Sequence, residues 1–113
     1  MLDLAGNMIG DYGAQALAEA LKTHSTLVYL GLRTNAIRPQ GGHALAEALK
    51  TNKALITQNL GYNAIGDDRA QALAEALKIN STLATLEVSH NWIADIGAQV
   101  WARHFKPIQL LPV

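Results

Sequence analysis

A chain of 113 residues, half of them apolar, is sized for one domain, and that apolar content excludes disorder as the default reading. Nine basic residues offset nine acidic ones, which excludes the basic footprint of a nucleic-acid binder and a charged tail that would draw a membrane or a charged substrate. Cysteine is absent, so disulfides, thiolate metal sites and cysteine nucleophiles are excluded, and a reducing, cytoplasmic setting is expected. The start Met1, Leu2, Asp3, Leu4 is not a charged segment leading into an apolar run, and no stretch is apolar for long enough to span a bilayer. Aromatics make up only 5%, while alanine and leucine abound, which is unusual for a small core.

Self-comparison explains the imbalance. Asn7, Asn35, Asn63 and Asn91 recur at a step of 28 residues, as do Leu27, Leu55 and Leu83, and Ile9, Ile37, Ile65 and Ile93. The heptapeptide Ala-Leu-Ala-Glu-Ala-Leu-Lys returns unchanged at Ala16–Lys22, Ala44–Lys50 and Ala72–Lys78. One domain over residues 1–113 is expected, built of units at about 1–26, 27–54, 55–82 and 83–110, with a tail over 107–113.

In chain order, the first unit begins inside a strand at Leu2 and Leu4 and continues into a helix whose first turn holds Asp11 and whose end carries Lys22. In the second unit Leu30 and Leu32 alternate as a short strand requires, and Ala44, Leu45, Ala48 and Leu49 then fall at helical spacing. That helix spans Pro39 to Lys50; Asp11, Pro39, Asp67 and Asp95 share one aligned start position and favour the positive dipole end or lack the orphan N–H. The third unit departs from the pattern twice. Gln58 takes the place of Leu2, Leu30 and Leu86 and is expected to point into the core, and Arg69 replaces the glycine of Gly13, Gly41 and Gly97 and is expected to be solvated. In the fourth unit Trp101 and Phe105 replace the helix leucines and Val100 a small alanine, bulk that would seal the core; Leu111 is in phase with Leu83 and would open a fifth unit.

The run Leu-x-x-Leu-x-Leu-x-x-Asn-x-Ile followed by Gly-Asp-x-Gly-Ala-x-Ala-Leu-Ala-Glu-Ala-Leu-Lys resembles the leucine-rich repeat of the ribonuclease-inhibitor type, over almost the whole chain. The resemblance implies an α/β fold: a right-handed βα solenoid bent into a horseshoe arc, about four 28-residue repeats with a parallel concave sheet, convex helices and a leucine core between them. It implies relatives among nucleotide-binding immune receptors, ribonuclease inhibitor and repeat proteins that some bacteria secrete into host cells. Function does not transfer residue by residue, because only scaffold positions match.

Asn7, Asn35, Asn63 and Asn91 are expected to form a structural ladder, each amide pairing backbone groups at a buried bend. His24, His43, His90 and His104 occupy four different repeat positions and none has a partner at metal-ligand spacing, so no metal site is expected. Neither a phosphate-binding glycine loop nor a catalytic triad can be assembled, so neither cofactor nor enzymatic activity is expected. Asn80-Ser81-Thr82 spells a glycosylation site by chance.

What remains is the concave face. Its columns are Asp3, Gly31, Asn59 and Glu87; Tyr29, Thr57 and Thr85; and Ala5, Arg33, Gly61 and Ser89, with Thr34, Tyr62 and His90 past the strand ends. Tyr29, Arg33, Asn59, Tyr62, Glu87 and His90 are the candidate contacts for a protein partner, since tyrosine and arginine concentrate binding energy. The same face could equally be merely solvated. Trp92 is a further aromatic, either exposed or packed under the C-terminal tail.

Three functions are in play: a non-catalytic protein-binding module; a structural or self-associating module, or a fragment of a longer array, joined through uncapped ends as a homodimer; and a small-GTPase regulator. The protein would work in the cytoplasm or after secretion into a host cell.

Overall fold

A computed structural model describes residues 1–92 and the backbone of 109–111. In chain order these form β1 (Leu2–Asp3), α1 (Gly10–Thr23), β2 (Tyr29–Gly31), α2 (Pro39–Thr51), β3 (Thr57–Asn59), α3 (Asp67–Ile79), β4 (Thr85–Glu87) and β5 (Gln109–Leu111). The five strands make one parallel sheet in the order β1-β2-β3-β4-β5. Through β4 each strand pairs with its neighbour at the 28-residue step: Leu2 with Leu30, Leu30 with Gln58, and Gln58 with Leu86.

Alternation explains the two layers. Leu30 and Leu86 are fully buried beneath the sheet, as are Leu32 and Leu60, and meet Leu45, Leu49, Leu73 and Leu77 from the helices. The helices bury Ala14, Ala18, Ala46, Ala48, Ala74 and Ala76 almost fully. Side chains this short let neighbouring helices approach closely, so few aromatics are needed to fill the interior.

Helix starts are capped differently from the sequence expectation. Asp11 makes no cap to its own helix; its Oδ1 accepts from the backbone N–H of Arg38 at 2.7 Å and of Gly41 at 3.0 Å, at the start of α2. The carboxylate therefore satisfies orphan donors of the following unit, across the joint. Gly41 is required for this, since a Cβ there would lie 2.7 Å from the Asp11 oxygen. Pro39 stands where Asp11 stood, so no carboxylate overhangs position 69 and a side chain fits. Arg69 is only half-exposed, and its Nε is buried without a hydrogen bond, which corrects the expectation of a solvated side chain.

The fourth joint also departs from the period. Thr85 pairs with Gln109, Leu86 with Leu110 and Glu87 with Leu111, a step of 24 residues. Leu111 is thus not at the register of Leu83, as its phase implied, because β5 reaches the sheet four residues early. Asp95, Val100, Trp101, His104, Phe105 and Pro107 lie outside the described residues.

Candidate functional site

At the end of each strand the chain turns through left-handed backbone. Thr34, Tyr62 and His90 have φ of 57°, 54° and 58°, and the first unit has Gly6 at 71° in the same place. A non-glycine residue in this region costs roughly 1 to 3 kcal/mol and persists where its surroundings over-determine it. Here they do. The Thr34 N–H donates to the Gly61 carbonyl at 3.0 Å and the Tyr62 N–H to the Ser89 carbonyl at 2.9 Å. The next residue in each case is a ladder asparagine. Asn63 Oδ1 accepts from the N–H groups of Asn35 and Ile37, both at 3.0 Å, and its Nδ2 donates to the carbonyls of Leu32, Leu60 and Gly61. Asn35 and Asn91 make corresponding bonds.

These pinned turns bring four of the six candidate residues together on the helix-free face. The Tyr62 and His90 rings stack with centroids 4.1 Å apart at 21°. The Arg33 guanidinium lies over the Tyr62 ring, 4.5 Å from its centroid, a cation–π contact. Arg33 Nη1 is 3.7 Å from Glu87 Oε1. This ion pair joins residues of the second and fourth units, and it does so across Gly61, where a Cβ would stand 3.0 Å from Glu87 Oε1. Gly61 and Ser89, whose hydroxyl donates to Glu87 Oε1 at 3.2 Å, are therefore positioning residues that residue-type reasoning passes over.

Of the other two candidates, Asn59 lies next to Glu87 across the β3–β4 pairing and Tyr29 lies on β2. Asn59 Oδ1 accepts from the Gly61 N–H at 2.9 Å, fixing its own strand end, and half-buried Tyr29 lies beside Gly31. Trp92 is 76% exposed with φ of 61°, in the row of Met8 and Ala36.

A second ladder runs along the helix ends. Asn52 Nδ2 donates to the carbonyls of Leu21 and His24, and its Oδ1 accepts from the N–H groups of Ala54 and Leu55. Asn80 repeats this on Leu49, Asn52, Thr82 and Leu83. His24 fills the same position in the first unit, where Nδ1 accepts from the Leu27 N–H at 3.2 Å. These residues satisfy carbonyls of the preceding helix end and turn the chain toward the next strand. Their 28-residue step is present in the sequence, although Asn80 drew notice only as part of a glycosylation triplet. Its amide is buried and committed to these bonds.

A groove of about 620 Å³ lies along α1 and α2, over Ala16, Ala18 and Ala44. Its carboxylates are held within their own helices: Glu19 bonds Lys22 and Glu47 bonds Lys50, each at 3.0 Å. The Lys50 hydrogen bond holds the Glu47 carboxylate below its usual range. No group of three or more potential metal ligands occurs among the described residues.

Residues 2–18 and 80–100 match the leucine-rich repeat family model. No curated protein matches the chain in sequence. Solved structures do: the actin-binding site 2 of leiomodin-1 is 23% identical, with a TM-score of 0.86 over 97% of this chain and 66% of that one. The chain thus spans just under two thirds of that structure, and the likeness is one of fold. The matched segments and the shared fold support a leucine-rich repeat protein.

Proposed function

We propose that this chain is a non-catalytic protein-interaction module, a right-handed solenoid of the ribonuclease-inhibitor type that binds a protein partner through its concave sheet face. The observation that carries this reading is the cluster of Arg33, Tyr62, His90 and Glu87, assembled from three units, with Tyr62 and His90 on left-handed backbone. Such a cluster presents aromatic and guanidinium surface already ordered, so little side-chain entropy is lost on binding. Tyr29 and Asn59 flank it. Actin is the first partner to test, because a protein of like fold is described as an actin-binding site. The test is isothermal titration of actin with the wild type and with Tyr62→Ala and Arg33→Ala. Binding that weakens at least tenfold in both variants supports the concave assignment; binding indifferent to both overturns it.

A second reading, self-association, is favoured by one observation. Leu2, Leu17, Ala20, Leu21, His24, Leu27 and Leu30 line an apolar groove of about 170 Å³ at the first-unit end. Leu17 and Leu27 are half-exposed there, whereas Leu45 and Leu55 at the same repeat positions are fully buried. A monomeric mass in light scattering, unchanged by Leu17→Glu, would remove this reading.

A further inference from the structure

We propose that the concave cluster takes a carboxylate, an acidic side chain in an extended segment of the partner, on the guanidinium of Arg33. This rests on the reading of that face as the binding surface. The chemistry begins with what Arg33 lacks. A guanidinium carries five N–H donors in a planar fork, and that of Arg33 makes no hydrogen bond among the described residues. Its contact with Glu87, at 3.7 Å, is longer than a hydrogen bond and leaves the fork unsatisfied. The guanidinium lies over the Tyr62 ring, and the Arg33 side chain is 46% exposed.

The two acids of this face differ: Glu87 is largely covered, whereas Asp3 is exposed at the first strand. Glu87 is only 17% exposed and accepts from Ser89 Oγ, and Asp3 Oδ1 accepts from the Ala5 N–H. Arg33 is the cation of this face that combines exposure with unused donors, and two parallel N–H···O bonds to a carboxylate are its geometric complement. With zero net charge on the chain, the attraction is local and adds specificity rather than long-range steering.

The experiment is selection of a phage-displayed random peptide library on the intact wild-type protein and on Arg33→Gln, followed by calorimetry with the synthesised consensus peptide. The expected result is one enriched Asp or Glu position, with acid-to-amide replacement in the peptide and Arg33→Gln in the protein each weakening binding about tenfold. Together they should weaken it little more than either alone, because both remove the same contact. Arg33→Lys should recover only part of the affinity, since an ammonium lacks the planar fork. Enriched peptides without an acidic position, or bound equally by Arg33→Gln, overturn the carboxylate assignment and leave the concave reading standing. A library that enriches nothing on this face overturns both.

Discussion

Two amides in the third unit, five residues apart, have opposite circumstances. Asn63 sits at the bend after β3 and makes five hydrogen bonds to backbone of its own and the preceding unit. Gln58 sits in the middle of β3, fully buried between Leu30 and Leu86 in the sheet, and neither its oxygen nor its nitrogen has a partner. Both are primary amides in the interior. A strand in mid-sheet spends its backbone groups on the two adjacent strands, so a side chain beneath it finds nothing left to bond. A bend leaves backbone groups unspent, and there the amide is needed. The value of a buried polar residue is thus set by the backbone around it.

The largest expected effect breaks the satisfied side of this pair. Asn63→Ala leaves the N–H groups of Asn35 and Ile37 and the carbonyl of Leu32 unpaired in buried surroundings, at about 1 to 3 kcal/mol for each orphaned group. A loss above about 3 kcal/mol is expected from urea denaturation; a loss under about 1 kcal/mol would show that the ladder is dispensable. The converse substitution, Gln58→Leu, restores the repeat residue and should stabilise by about 2 kcal/mol, read as a higher Tm. Destabilisation instead would mean that the Gln58 amide is satisfied in solution.

A smaller effect is expected at Gly61, where an added Cβ crowds Glu87 Oε1. Gly61→Ala should cost no more than about 1 kcal/mol of stability while abolishing the coupling between Arg33 and Glu87 in a double-mutant cycle. Unaltered coupling would refute the idea that the pair closes over a glycine. The smallest effect belongs to the helix surface. Glu47→Gln should change stability by less than about 0.5 kcal/mol at neutral pH. Because Lys50 lowers the Glu47 pKa from 4.5, the stabilising contribution is present above that value and lost as pH falls through the folded-state pKa. The difference between wild type and Glu47→Gln should therefore vanish in acid.

Much of the fold was legible because repetition multiplies weak signals. One short alternation at Leu30 and Leu32 is an uncertain strand; the same alternation in phase at Leu4, Leu60 and Val88 fixes both the strand and its register. The helix over Pro39–Thr51 was likewise readable from its proline start and alanine-leucine face. Arg69 was not, since its tolerance depends on the missing carboxylate at Pro39 in the neighbouring unit, a contact between residues 30 positions apart. In the candidate site, residue type alone pointed to Arg33, Tyr62, Glu87 and His90. It also pointed to Asn59, which lies beside Glu87 at the edge of the cluster, and to Tyr29, which lies beside Gly31, and gave Gly61 and Ser89 no role.

The sequence by itself determined the 28-residue step, the alternation of strand and helix, the inward leucines and alanines, and the rows in which outward residues would stand. These follow from local periodicity and hold wherever the units pair. Only the tertiary structure decided which outward residues meet. Contact between Arg33 and Glu87 needs two joints, an empty Gly61 between them, and turns held left-handed by the asparagines that follow Tyr62 and His90. A repeat defines positions on each unit, but distances across units depend on side chains that the neighbouring units supply or omit.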